Sequence, residues 1–299
     1  MRSLADLCAA LARADLLVSA PGSEASIDAI ATDSRLVGPG ALYVAVRGTQ
    51  VDGHRFIADA VARGAVAVVV EHPTGTTLPE IVVSDGRLAA IVLARHWFGD
   101  PSAGLTLIGV TGTNGKSTTT GIVHHLFNAE GTAGSIGTLG AFDGSGSAVP
   151  STAGSLTTPG PVDLQATFAA LAARGVRTVA MEASSHSLDQ GRLDGLRFRA
   201  AIFTNLTREH LDYHGTMEAY LAAKLRLTAL LEVDGVEIVN RDDDAWLALP
   251  PAPPSRRITF GVHPDAAVRA EDVVTDPAGT TFTLKSRWGS AEIRTPFIG

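Results

Sequence analysis

The sequence has 299 residues, 45% of them hydrophobic and 18% charged, with a formal net charge of −7. That balance excludes a disordered chain and supports a sizeable core, and the length suggests two domains at ~150 residues each. The acidic charge argues against nucleic acid or an anionic membrane as a partner, although local cations and backbone amides can still hold a phosphorylated ligand.

In chain order, residues 3–13 read as a short amphipathic helix. The opening stretch MRSLADLCAALARADLL has neither a continuous apolar segment nor a small-residue cleavage site, so no secretory signal is expected. No apolar run approaches the ~20 residues of a membrane span. Cys8 is the only cysteine and cannot form an internal disulfide, which suits a reducing compartment. A soluble cytoplasmic protein is expected. Residues 41–46 (ALYVAV), 66–70 (VAVVV) and 81–84 read as strands, and 53–63 and 87–98 as helices. The run Gly99-Asp100-Pro101-Ser102 breaks the pattern. The expected boundary separates a small α/β domain, 1–100, from a second domain, 101–299.

In the second part, apolar strands are expected at 105–110 (LTLIGV), 178–181 (TVAM), 200–203 (AAIF) and 236–239 (VEIV), with helical stretches between them. This is the rhythm of an α/β fold with a mostly parallel sheet. Residues 144–154, rich in Gly, Ser and Ala, read as a surface loop. After Pro250-Pro251-Ala252-Pro253-Pro254, the pieces RRITFGV, TTFTLKS and AEIRTP suggest an edge meander. Polar residues follow all four buried strands: Thr111 to Ser117, Glu182, Asn205 to His210, and Asn240 to Asp242. Ligands bind at that edge of open parallel sheets, so these groups are expected to converge.

Thr111-Gly112-Thr113-Asn114-Gly115-Lys116-Ser117 lies between a strand and a helix, where glycines let backbone amides surround phosphate oxygens. Lys116 would reach the β- and γ-phosphates, and the Ser117 hydroxyl would bind Mg²⁺. A strict Walker loop has glycine where this chain has Val110, so the loop is a variant. Glu182 is either a helix-start acid or, at the ligand edge, a ligand for Mg²⁺ or a water-orienting group. His210 is either structural or catalytic, and His214 reads as a bystander. On a helix expected through 217–231, Lys224 falls within the apolar stripe of Met217, Tyr220, Leu221, Leu225, Leu227 and Leu231. An inward lysine must snorkel, pair, lose its charge or be modified.

Together these segments resemble the Mur ligase family, and within it the MurE type. The resemblance rests on TDSR at 32–35, PGALYVA at 39–45, DGHRFI at 52–57, TGTNGKST, LTTP at 156–159, MEASSHSLDQGRL and FTNLTREHLDYHGTMEAYLAAK. It implies an ATP-dependent, cytoplasmic ligase of peptidoglycan synthesis. Such an enzyme phosphorylates the D-glutamate carboxylate of UDP-N-acetylmuramoyl-L-alanyl-D-glutamate, and a diamino acid then displaces the phosphate. Meso-diaminopimelate is expected over L-lysine, because it is the commoner choice in the family.

The resemblance carries the ATP site to Gly112, Thr113, Asn114, Gly115, Lys116, Ser117, Thr118 and Asn240. It assigns one Mg²⁺ to Ser117 and Glu182, and a second to His210 with Lys224 carbamylated by CO₂. Thr32, Ser34, Thr49, Gln50 and Val51 are implied for the uridine end of the UDP-substrate. Thr157, Thr158, Ser184, Gln190 and Arg192 are implied for its muramoyl-peptide end. Relatives continue into a third domain, so a truncated chain that is inactive alone is expected, and the working enzyme is expected to be a monomer. The other readings are a MurF or cyanophycin-synthetase type of ligase, an inactive nucleotide-binding paralogue, and a plain P-loop ATPase. The last leaves the N-terminal motifs unexplained.

Overall fold

The computed structural model describes residues 1–48, 51–129, 131–150 and 156–298. The first part of the chain builds a five-stranded sheet in the order Leu17–Ser19, Glu80–Val83, Ala65–Val70, Ala41–Val44, Ala29–Ala31. Only the Leu17–Ser19 edge is antiparallel to its neighbour. Ala65–Val70 is a continuous small-apolar and β-branched run because both of its faces are covered. Helix Gly86–Phe98 starts where the Asp85 carboxylate accepts from the amides of Arg87 and Leu88, and it stops at Gly99, whose φ of 76° suits glycine. Its Ala89, Ala90, Leu93 and Ala94 pack into one core with Leu4, Leu7 and Leu11 of helix Leu4–Arg13. Val162, from helix Pro161–Ala173 further along the chain, enters the same core.

The second sheet has eleven strands. Its parallel centre runs Ala133–Gly137, Thr178–Glu182, Thr106–Thr111, Phe198–Phe203, Leu231–Asn240, Arg257–Gly261 and Val268–Asp276. Antiparallel strands close both ends: Gly140–Phe142 and Ala148–Val149 on one side, Gly279–Ser286 and Gly289–Thr295 on the other. Three sequence expectations change. Of the expected loop 144–154, Ala148–Val149 is a strand that pairs with Gly140–Phe142, and residues 151–154 lie outside the described residues. Arg257–Gly261 belongs to the parallel centre rather than to the meander. The helix carrying Lys224 ends at Ala229, and Leu231 opens the next strand instead of extending the apolar stripe.

The strand order decides where the site lies. From Thr106–Thr111 the chain builds Ala133–Gly137 and Thr178–Glu182 on one side, then crosses to Phe198–Phe203 on the other. The turn after Thr111 therefore opens at a topological switch point, where strand ends part and leave a crevice. Phe168, Phe198, Phe203 and Leu227 are fully buried beneath it. Burying such side chains is worth about 1.5–3 kcal/mol each, which fixes the strand ends that carry the polar groups.

Candidate active site

The loop after Thr111 is held from the neighbouring strand. Thr113 N donates to Asn205 O at 2.7 Å, Asn114 N to Asn205 Oδ1 at 2.9 Å, and Thr204 Oγ1 to Asn114 O at 2.7 Å. Gly112 is required by this contact, because a Cβ there would lie 1.9 Å from Thr204 Oγ1 at a φ of 146°. Helix Lys116–Phe127 starts directly behind the loop, so its free amides and positive end face the crevice. Lys116 Nζ turns back to donate to Thr113 O at 2.7 Å and Gly112 O at 3.1 Å.

Glu182, only 2% exposed, is held by three donors. Ser117 Oγ donates to Oε1 at 2.8 Å, Thr138 N to Oε1 at 2.9 Å and Thr138 Oγ1 to Oε2 at 3.2 Å. Gly137 leaves room for the carboxylate, since a Cβ there would stand 2.2 Å from Oε1. A hydroxyl and a carboxylate oxygen in contact beside a loop of amides are hard donors that fit Mg²⁺.

Lys224 is 1% exposed and shares the inward face of its helix with Tyr220, Ala223 and Leu227. Its ammonium does not snorkel. Nζ donates to Gly112 O at 2.7 Å and sits 4.4 Å from the centre of the Tyr220 ring. Burial, reinforced by the Lys116 charge, pushes its pKa down to about 7. As an ammonium it repels a cation and has no lone pair to offer one, whereas an acidic modification would turn it into an anionic metal ligand. Among the described residues no three His, Cys, Asp or Glu side chains are grouped to hold a metal. His210 adopts a left-handed φ of 55° and packs edge-on to His186, with ring centres 4.8 Å apart.

These groups border a cavity of about 420 Å³ lined by Thr113 to Thr118, Thr157, Glu182, Ser184, Arg192, His210 and Lys224. Thr138, Ser185 and His186 also line it, none of them anticipated from sequence. Burial lowers the His186 pKa. Two expected residues are placed differently. Thr158 is fully buried and donates to Glu182 O at 3.0 Å, so it braces the wall from behind. Asn240 stands at the same sheet edge outside this lining, its amide donating to Thr204 O at 2.7 Å. His214, read from the sequence as a bystander, lies outside the lining, and its buried Nε2 has no hydrogen-bond partner among the described residues.

A second cavity of about 620 Å³ lies against the first and is lined by both parts of the chain. Thr32, Ser34 and Val51 border it from the first part, and Gln190 and Arg192 from the second. Thr49 and Gln50 lie outside the described residues. Tyr43, Arg47, Phe56 and Arg87 are further lining residues that sequence reasoning missed. Arg192 lines both cavities, donating to Thr158 O at 3.0 Å and to Gln190 Oε1 at 2.5 Å.

The Mur ligase middle domain matches residues 110–299, and the catalytic domain of the Mur ligase family matches residues 26–97. The chain belongs to the Mur ligase family. It is 42% identical over 285 residues to the UDP-N-acetylmuramoyl-L-alanyl-D-glutamate--2,6-diaminopimelate ligase of Geobacillus thermodenitrificans, covering 93% of this chain and 58% of the relative. It is 43% identical over 282 residues to the ligase of that name from Geobacter sulfurreducens, covering 91% and 55%. A solved structure of a ligase so named superposes with a TM-score of 0.75 at 31% identity, over 91% of this chain and 56% of that one. MurF from Acinetobacter baumannii shares the fold, with a TM-score of 0.65 at 23% identity over 99% and 61%. The chain thus spans little more than half the length of the Mur ligases it matches.

Proposed function

We propose that this Mur ligase chain carries the ATP and UDP-substrate sites of an enzyme that adds meso-diaminopimelate, rather than L-lysine, to UDP-N-acetylmuramoyl-L-alanyl-D-glutamate in peptidoglycan synthesis. The observation that carries the reading is Arg192, which stands on the walls of both cavities. A substrate with its uridine in the larger cavity can thereby extend its free carboxylate toward a nucleotide on the phosphate loop. Diaminopimelate enters through the names of the relatives. The proposal includes a cytoplasmic, monomeric enzyme in which residues 1–100 hold the uridine end and 101–299 hold ATP.

In this reading the loop amides and Lys116 hold the β- and γ-phosphates, Asn240 stands toward the adenine, and Thr157, Ser184, Gln190 and Arg192 orient the muramoyl-peptide. The D-glutamate carboxylate attacks the γ-phosphorus and ADP leaves with the electrons of the broken P–O bond. The incoming amine then attacks the acyl carbon and loses a proton, and phosphate departs. Ser117 and Glu182 would hold one Mg²⁺, and His210 with a carbamylated Lys224 a second, and these ions would supply neutralising charge for the crowded oxygens. A pKa of about 7 supports the carbamate, since only the neutral amine reacts with CO₂.

Calorimetry with UDP-N-acetylmuramoyl-L-alanyl-D-glutamate tests the proposal. Saturable binding that weakens for the UDP-tripeptide is expected. Absence of binding, or a preference for the tripeptide, refutes it.

A further inference from the structure

The larger cavity is not electrically uniform. Of its four lining arginines, two are committed to carboxylates: Arg35 lies 2.6 Å from Asp33, and Arg47 lies 3.1 Å from Glu71 and 3.6 Å from Asp52. Arg192 donates to a carbonyl and an amide oxygen rather than to an acid. Arg87 has no ion pair among the described residues, and its guanidinium makes one long hydrogen bond, 3.5 Å to Arg47 O.

Arg87 reaches across the junction between the two parts of the chain. Its Cδ lies 3.3 Å from where a Cβ on Gly191 would stand, so the arginine stem crosses directly over the residue before Arg192. Gly191 has a φ of 64°, and a side chain there would also meet Asp194 Oδ2 at 2.5 Å, which keeps the crossing point open. Asp33, Tyr43, Phe56 and Asp59 belong to the first part's share of the wall, whereas Arg87 stands beside Gly191 and Arg192 where the smaller cavity begins. One stretch of the path thus carries polar, acidic and aromatic groups suited to a nucleoside, and the junction carries two guanidinium groups without carboxylate partners among the described residues.

We propose that Arg87 and Arg192 form a clamp for the diphosphate of a nucleoside-diphosphate substrate, with Arg87 the contributor from the first part of the chain and Arg192, which lines both cavities, shared between the diphosphate and the muramoyl-peptide beside it. The inference rests on the UDP-substrate reading above and adds to it the residue that recognises the diphosphate. Guanidinium forks match phosphate oxygens in pairs, and two of them, one from each part of the chain, meet the group at the junction.

The test compares uridine, UMP and UDP by calorimetry on the 299-residue chain, unaltered and carrying Arg87→Gln or Arg87→Lys, with circular dichroism to check folding. The unaltered chain is expected to favour UDP over uridine. Arg87→Gln is expected to weaken UDP binding about tenfold or more and to flatten its salt dependence, while uridine binding stays constant. Arg87→Lys keeps the charge and loses the fork, so its UDP affinity falls between the two. If Arg87→Gln does not fold, unchanged UDP affinity in Arg87→Lys overturns the clamp. UDP preference that survives Arg87→Gln overturns the clamp and leaves the UDP reading standing. Failure of the unaltered chain to bind both uridine and UDP overturns both.

Discussion

Gly137→Ala tests whether the Glu182 carboxylate holds a metal, without touching a candidate ligand. The new Cβ would stand 2.2 Å from Oε1 and 2.8 Å from both Cδ and Cγ. Ordinary contact begins near 3.4 Å, so the oxygen must retreat by about 1.2 Å. It cannot do so freely, because Ser117 Oγ and Thr138 N hold it at 2.8 and 2.9 Å. Hydrogen bonds to a charged group contribute about 1.5–3 kcal/mol each, and some regain partners on relaxation, so a loss of about 2–4 kcal/mol is expected in urea unfolding. Misaligning a ligand through its supporting shell lowers metal affinity about 10–100-fold. Calorimetry with a non-hydrolysable ATP analogue should show the Mg²⁺-dependent increment shrinking by that factor, while binding in EDTA changes little. A folded Gly137→Ala chain that keeps the full Mg²⁺ increment would refute the assignment of Glu182.

Thr158→Val removes the buried hydroxyl that donates to Glu182 O and should cost about 1–3 kcal/mol in urea unfolding; a change below about 0.5 kcal/mol contradicts the bracing role. ¹³C-bicarbonate added to the chain should give a carbamate resonance in NMR that Lys224→Met abolishes, and a resonance that persists in the variant refutes the modification at this lysine. The Asp143 carboxyl is held well below its ordinary value of 3.8 by the Ser145 hydroxyl and the Arg174 guanidinium. A depressed carboxylate stabilises the fold above its unfolded pKa, and that contribution is lost as pH falls through the folded value. Asp143→Asn should therefore lower the thermal midpoint at neutral pH and flatten its fall in acid; parallel curves for the two chains would refute this.

The parts legible in the sequence were those where one strong pattern acted alone. Apolar strands followed by polar residues located the sheet edge, and the structure joins Ser117 to Glu182 and Asn114 to Asn205 across it. Lys224 was legible as inward-facing because helical periodicity survives an error of two residues at the helix end. Ala133–Gly137 was not, since AGSIG carries two glycines and no alternation, and its place is fixed by pairing with Thr178–Glu182. Thr138 was hidden with it, although it donates twice to Glu182. Val268–Asp276 is a charged strand with its second half exposed, held by neighbours on both sides rather than by burial. Arg87 looked like any helix-start arginine, because nothing local shows that Gly191, over a hundred residues later, passes beneath it.

The two lysines favour the proposed carbamate at one of them. Lys116 and Lys224 both donate to Gly112 O, so two amines converge on one carbonyl. Lys116 is itself pushed down by burial, while the Glu182 and Glu209 charges pull it up. Lys224 has only the Glu209 charge working against burial and Lys116, which is why it falls to about 7. An uncharged Lys224 removes the repulsion but contributes nothing to the field at the phosphates. A carbamate there reverses the sign: it would restore Lys116 to a firm ammonium and put an anionic oxygen near His210 on the same wall. Substituting Lys224 with methionine relieves the repulsion without supplying that anion. Lys224→Met should therefore bind an ATP analogue in EDTA at least as well as the unaltered chain, yet gain less from Mg²⁺, a split that packing damage alone would not produce.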